Sequence, residues 1–189
     1  MEKSCEWPGN DVLMKKYHDT EWGVPLHDDP KLFEFLILEG FQAGLSWSTV
    51  LKKREAFRYA FSGFDPVKVS KFSNEDIERL MHDARIIRNR HKILAAINNA
   101  KQFLKVQKEF GSFDSYIWGF VDYKPVVNSF EKLSDLPAKT PLSDKISTDM
   151  IVRGFKFVGP TIVYAHMQAT GMVNDHLVHC FRYSQINAV

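Results

Sequence analysis

The run Leu32–Arg54, LFEFLILEGFQAGLSWSTVLKKR, decides how this chain is read. Leu32, Phe35, Leu36 and Glu39 recur at i, i+3, i+4 and i+7, so they share one helical face. Three are apolar and the fourth is an acid. A carboxylate turned with leucines toward a core is costly unless it is paired, neutralised or given a cationic partner. Gly40 and Gly44 then weaken the helix near its end. Leu45 falls at a turn, and Ser46 can cap a helix that opens with Trp47. Acid, glycine turn and tryptophan in this order predict a pocket wall rather than packing alone.

Working outward, the spacing predicts helices almost throughout. Upstream, Trp7-Pro8-Gly9-Asn10-Asp11 reads as a turn before a short helix over Val12–His18, and Asp28-Asp29-Pro30 starts the long helix that carries Glu39. Downstream, one helix is expected over Trp47–Phe61 and a short one from Pro66 to Lys71. Ser73-Asn74-Glu75-Asp76 is a capping-box variant before Ile77–His82. A turn over 83–92 leads into a long helix reaching Glu109, with the stripe Ile93, Ala96, Ile97, Ala100 and Leu104. Residues 113–122 form a further aromatic helix, and Tyr123–Leu142, rich in Pro, Ser and Lys, a surface loop. Ser143–Arg153 and a segment from Pro160 to about Gly171 complete the helices. No alternating strand pattern is present. The expectation is an all-α fold, one domain over residues 1–189 whose length allows two helical lobes with a cleft between them.

Composition narrows the partners. Of 189 residues, 44% are apolar and 25% charged, which is ordinary for a globular protein. No apolar run is long enough to span a bilayer, and the N-terminus lacks an apolar signal segment, so a cytoplasmic protein without a membrane partner is expected. The net charge of +2 allows nucleic-acid binding only through local patches. One such patch is Arg85–Lys92, four cations in eight residues, although a charge run is usually a solvated helix face.

The only cysteines, Cys5 and Cys180, stand at opposite ends of the chain, each near a histidine, His18 and His176. Two thiolates and two imidazoles suit tetrahedral zinc. His176 and Cys180, four apart, would face one way on a helix. Four protein ligands leave no open position, so the zinc would be structural, one per chain. Unrelated buried thiols and ordinary histidines are the bland alternative, since no Cys-x-x-Cys knuckle is present. Residues 155–165, FKFVG-PTIVYA, read as helix, glycine turn, helix; the free N–H groups of the second helix and Lys156 could hold a phosphate, or the segment is a plain α-hairpin. Trp7, Tyr17, Trp22 and Trp47 cluster in the first quarter around Glu39. Beside a carboxylate, they suggest a site that stacks a flat, electron-poor ring.

These residues together carry a resemblance. The runs YHDTEWGVP (17–25), LEGFQAGLSWSTVLKKRE (38–55), FDPVKV (64–69), RGFKFVGPT (153–161) and NDH (174–176) closely resemble the 3-methyladenine DNA glycosylase I family of constitutive bacterial repair enzymes. The resemblance covers nearly the whole chain. It implies an all-α helix-hairpin-helix fold with a structural zinc on Cys5, His18, His176 and Cys180. It implies a base pocket of Glu39, the catalytic candidate, with Tyr17, Trp47, Trp7 and Trp22. It places a DNA-inserting turn at Gly44-Leu45 and the hairpin at Phe155–Gly159, which carries Lys156. The substrate implied is double-stranded alkylated DNA, from which N3-methyladenine is flipped out and excised; a monomer is the default expectation for a small enzyme that slides on DNA.

Three departures bear on that expectation. Strand-cutting relatives place a nucleophilic lysine just after the hairpin; Thr161 and Ile162 stand there, so no Schiff-base step is expected. Asp175 lies where many relatives stabilise the sugar cation, but beside His176 it is expected to give local support. Arg85 and His91 fill positions where glycine is expected, which puts a positive-φ turn in doubt. The competing function classes are a zinc-stapled nucleic-acid-binding module without catalysis and a hydrolytic zinc enzyme. The former leaves Glu39 idle, and four protein ligands argue against the latter.

Overall fold

A computed structural model describes residues 3–188; a domain over 1–189 therefore includes three positions outside them. Eleven α-helices are present among the described residues: α1 Val12–Thr20, α2 Asp29–Gln42, α3 Trp47–Leu51, α4 Arg54–Ala60, α5 Pro66–Val69, α6 Asn74–His82, α7 Arg90–Phe110, α8 Phe113–Trp118, α9 Pro141–Val152, α10 Pro160–Ala169 and α11 Phe181–Asn187. Their starts follow local chemistry. Asp11, Asp28, Asp65, Ser73, Asn89, Ser112 and Thr140 each cap a helix with a side-chain oxygen on its first free N–H groups.

α2 lies at the centre. Every residue from Leu32 to Phe41 is buried, which is why its run is apolar all round rather than on one stripe. α7, α8 and α10 pack around it, and phenylalanines fill the space between them, with Phe33 on Phe103 at 5.0 Å and Phe103 on Phe113 at 4.3 Å.

The structure departs from the sequence reading in three places. The helix expected over Trp47–Phe61 is two, because Lys52 and Lys53 interrupt it. The interruption brings the buried Arg54 guanidinium between Glu34 and Glu21, each bonded at 2.6 Å. Second, the loop over 123–140 is pinned. Val126–Val127 (β1) pairs in parallel with Val173–Asn174 (β2), in the register Val126 to Val173, and Val178 N–H donates to Phe130 O. Strands of two residues show no alternation, so the sequence carried no sign of them. Third, His176 and Cys180 lie in the irregular segment between β2 and α11, not on a helix. They converge through loop geometry instead of the i, i+4 spacing.

Arg85 and His91 are not among the residues with positive φ, so their side chains are under no backbone penalty. The basic run is also less free than its charge suggests. Arg85 pairs with Asp83, Arg90 with Glu78, and Lys92 turns inward. No helix among the described residues is long and apolar enough to cross a membrane.

Candidate active site

A cavity of about 370 Å³ opens between α1, the end of α2, α3 and α10. Trp7, Tyr17, Trp22, Glu39 and Trp47, which the sequence grouped together, all line it. The rings form a cage: Tyr17 lies 5.3 Å from Trp47, and Trp7 stands edge-on to Tyr17 at 6.4 Å and to Trp22 at 5.1 Å. Phe35, one turn before Glu39 on α2, stacks behind Trp47 at 6.5 Å.

Glu39 is 3% exposed, and no donor of the described residues reaches its carboxylate. Burial alone pushes its pKa up to about 8. Of the three states open to a carboxylate on an apolar face, paired, neutralised or given a cationic partner, burial among the described residues favours the neutralised acid. The indole N–H groups of Trp7 and Trp47 are buried without acceptors. Three polar groups around one apolar cavity thus lack partners among the described residues. Such groups are rare in interiors unless a ligand completes them.

Lining residues that the sequence did not single out are Met14, Gln42, Ala165 and Gln168, with Leu133 and Leu136 from the pinned loop. Gln42 and Met14 sit one turn from Glu39 and Tyr17, so helical spacing could have found them. Nothing local marks Leu133 or Leu136; the parallel pairing carries them there.

At the cavity rim, Gln42-Ala43-Gly44-Leu45 is a tight turn. Leu45 N–H bonds to Gln42 O at 2.6 Å, Ala43 takes φ −45 and ψ 116, and Gly44 takes φ +77. That is a type II turn, whose third position needs glycine for conformation; a Cβ at Gly44 would touch nothing. The turn holds Leu45 out at 42% exposure.

The hairpin runs from α9 to α10. Gly154, at φ +90, ends α9 in a Schellman motif, with Gly154 N–H on Ile151 O and Phe155 N–H on Met150 O. Phe157 takes φ +53, an uncommon conformation for a non-glycine residue. Gly159 begins α10 with no side-chain cap, and Lys156 is exposed beside it. The first-turn N–H groups of Thr161 and Ile162 are therefore left for an outside acceptor.

Behind the pocket, Cys5, His18, His176 and Cys180 meet, all buried, with their four donor atoms within 4.8 Å of one another. The individual spacings are 3.8 Å for Cys5 Sγ to His176 Nδ1, 3.6 and 3.7 Å from Cys180 Sγ to the two rings, and 3.1 Å between the ring nitrogens. A tetrahedral ion with bonds of about 2.0 Å to N and 2.3 Å to S has edges of roughly 3.3–3.8 Å. His18 Nδ1 faces Asp19 at 2.6 Å and His176 Nε2 faces Trp22 O at 3.0 Å, so each ring's proton is placed outward and its lone pair inward. Each sulfur shifts the other's ionisation, Cys5 upward and Cys180 downward. Two lone pairs and two sulfurs converging in a buried space fit a shared cation, and the four residues could bind a metal.

Asp175 adjoins this cluster, 1% exposed. Its carboxylate accepts from Tyr164 Oη at 2.6 Å, Asn128 Nδ2 at 2.7 Å and Gln168 Nε2 at 2.8 Å. That is the local support expected of it.

Comparison with known proteins places the chain. The methyladenine glycosylase family model matches residues 7–183. DNA-3-methyladenine glycosylase 1 of Escherichia coli (strain K12) is 52% identical over 179 residues, 95% of this chain and 96% of that protein. DNA-3-methyladenine glycosylase of Haemophilus influenzae is 47% identical over 180 residues, covering 95% and 97% of the two chains. A structure of 3-methyladenine DNA glycosylase I from Staphylococcus aureus, solved for the basis of its 3-methyladenine recognition, superposes with a TM-score of 0.92 at 38% identity, covering 95% of this chain and 96% of that one. With its aromatic cavity and buried Glu39 in place, the chain belongs to the methyladenine glycosylase family.

Proposed function

We propose that this chain is a monofunctional DNA-3-methyladenine glycosylase, one domain acting as a monomer on alkylated duplex DNA in the bacterial cytosol. The observation that carries the reading is a buried carboxylate without a donor, set in an aromatic cavity large enough for one base.

N3-methyladenine is cationic while attached to its sugar, and the aromatic faces attract a cationic ring. Its arrival lowers the Glu39 pKa, and the carboxylate then accepts hydrogen bonds from the base edge. Normal adenine, neutral, draws less from both groups. Extracting the base from the duplex costs a few kcal/mol. Leu45, at the exposed tip of its type II turn, wedges into the gap. The uncapped start of α10, with Gly159 and Lys156, holds backbone phosphate. The base leaves neutral, so its bond to the sugar is already weak; the pocket need only hold the base, exclude bulk solvent and admit water to C1′. Thr161 and Ile162 offer no amine, so the DNA strand stays intact.

The metal at Cys5, His18, His176 and Cys180 is proposed to be a single structural zinc. It closes the chain ends over the pocket, since the His18 ring lies 5.4 Å from Trp7 and 6.1 Å from Trp22. With four protein ligands it has no part in the hydrolysis.

Chromatography of the bases released from methylated duplex DNA tests this reading. The expected result is selective release of 3-methyladenine over 7-methylguanine, without strand cleavage. Folded, metal-loaded protein that releases no base overturns it.

A further inference from the structure

Helix α7 takes no part in the pocket, yet it carries two buried polar side chains that leave it in an unusual way. Lys92, 8% exposed, has no carboxylate partner among the described residues. Its Nζ donates to Phe41 O at 2.8 Å and to Ala43 O at 2.6 Å, the terminal carbonyls of α2. Those carbonyls end a helix whose C-cap, Ala43, makes no backbone bond of its own, and the negative helix end favours a cation. Seven residues on, on the same face of α7, Asn99 is 3% exposed. Its Oδ1 accepts from Lys156 N–H and its Nδ2 donates to Lys156 O, both at 2.8 Å. Asn98 adds a bond to Gly154 O at 2.8 Å.

Both anchors grip main chain, one in the turn that presents Leu45 and the other in the hairpin turn. The last turn of α2, which leads into the Leu45 turn, also meets the hairpin turn: a Cβ on Gly40 would stand 3.6 Å from Phe157 Cβ. Gly40, Lys92, Asn99 and Phe157 close around a void of only about 10 Å³. The strained φ of Phe157 persists where its surroundings over-determine it.

We propose that the Lys92–Asn99 face of α7 is a brace that locks the Leu45 turn and the 155–159 hairpin turn into one rigid DNA-gripping unit. Lys92 and Asn99 are positioning residues that touch neither base nor phosphate. The inference rests on the reading above, in which these two turns meet DNA. It adds that the wedge works only at a fixed distance from the phosphate grip.

Three variants test it: Lys92→Met, which keeps the aliphatic stem; Asn99→Asp, which sets a carboxylate oxygen against Lys156 O; and the pair. Free 3-methyladenine binding is read by tryptophan fluorescence, excision by kcat/KM on methylated duplex, and wedge insertion by 2-aminopurine placed beside an abasic analogue. Base binding is expected to stay within about twofold of wild type, because the pocket is not part of the brace. Each single change is expected to lower kcat/KM about 30-fold and to blunt the 2-aminopurine response, as small displacements of positioning groups do. The double variant should fall no more than about threefold below the worse single one, because a brace cut at either end is already cut. Single variants with wild-type excision overturn the brace. So does a loss of base binding in step with excision, or losses that multiply. If Lys92→Met does not fold, Asn99→Asp decides by the same comparison. Wild-type protein that inserts its wedge but excises nothing refutes the glycosylase reading alone, and the 2-aminopurine signal of the variants still judges the brace.

Discussion

Two buried polar regions lie back to back in this molecule and treat their charges in opposite ways. In the cavity, among the described residues, Glu39 has no donor, and the N–H groups of Trp7 and Trp47 have no acceptor. Behind it, Asp175 has three donors, and His18 and His176 have partners on their outer nitrogens. Trp7 and Trp22 are shared walls, packed on the pocket from one side and on the histidine rings from the other. The satisfied region joins segments from both ends of the chain, and the unsatisfied one is the proposed base pocket. Burial alone does not separate them; Glu39 and Asp175 are nearly equally hidden, and only the tally of partners tells them apart.

The comparison breaks most visibly at the metal cluster. Chelation, or Cys180→Ser, is expected to lower the melting temperature by about 10 °C or more, because the proposed zinc would link segments from both ends of the chain. Zinc content and thermal unfolding are measured together. Protein free of metal with an unchanged melting temperature would remove zinc from the account.

Glu39→Gln is expected to act the other way on the two properties. Excision should fall about 100-fold, or roughly 3 kcal/mol of transition-state stabilisation. The fold should be retained and become more stable toward alkaline pH. The sign follows from the raised pKa. Folded protein keeps the Glu39 proton up to about pH 8, whereas the unfolded chain releases it near 4.5, so wild-type stability declines as pH rises through that window. Denaturant midpoints at pH 5 and pH 8 check this; parallel pH dependence in wild type and variant would show that Glu39 is not held protonated.

Asp175→Asn should sharpen the contrast from its other side. It weakens three charge-assisted hydrogen bonds and is expected to cost about 2–3 kcal/mol of stability, with excision per folded molecule close to wild type. A rate loss on the scale of Glu39→Gln, in protein that is still folded, would move Asp175 into the chemistry.

How much of this was visible beforehand depended on the range of the interaction. Glu39, its helical face and the four aromatic residues were legible because helical periodicity and the Gly44 turn are local. Asp28, Ser46 and Ser73 announced their helices for the same reason. The two cysteines and two histidines were legible as a set by residue type, but not how they meet: His176 and Cys180 lie on no helix, and the approach of 171 sequence positions between Cys5 and His176 is a tertiary fact. The split at Lys52-Lys53 was not legible, because the partners that Arg54 meets beyond it, Glu21 and Glu34, are distant in sequence. Leu133 and Leu136 reach the pocket only through a two-residue strand pair. Lys92 was counted in the cationic run 85–92 because charge in sequence does not say which way a lysine points.

The smallest expected effect concerns a residue that belongs to neither region. His166, on α10 and 3% exposed, has no partner on either ring nitrogen among the described residues. Burial drops its pKa to about 4, so it stays neutral in the fold while the unfolded chain takes up a proton below about 6.5. Stability is therefore lost as pH falls from about 6.5 toward 4. Unlike Glu39, His166 is not in the lining of the aromatic cavity, so its missing partners have no part in the proposed function. His166→Leu, near it in volume, is expected to raise stability by about 1 kcal/mol at neutral pH and by more near pH 5, with excision unchanged. Urea midpoints at pH 7.5 and 5 decide it. A destabilised variant would mean that the imidazole is packed better than its unsatisfied nitrogens suggest, and that an orphaned polar atom marks function in this protein only where a cavity stands beside it.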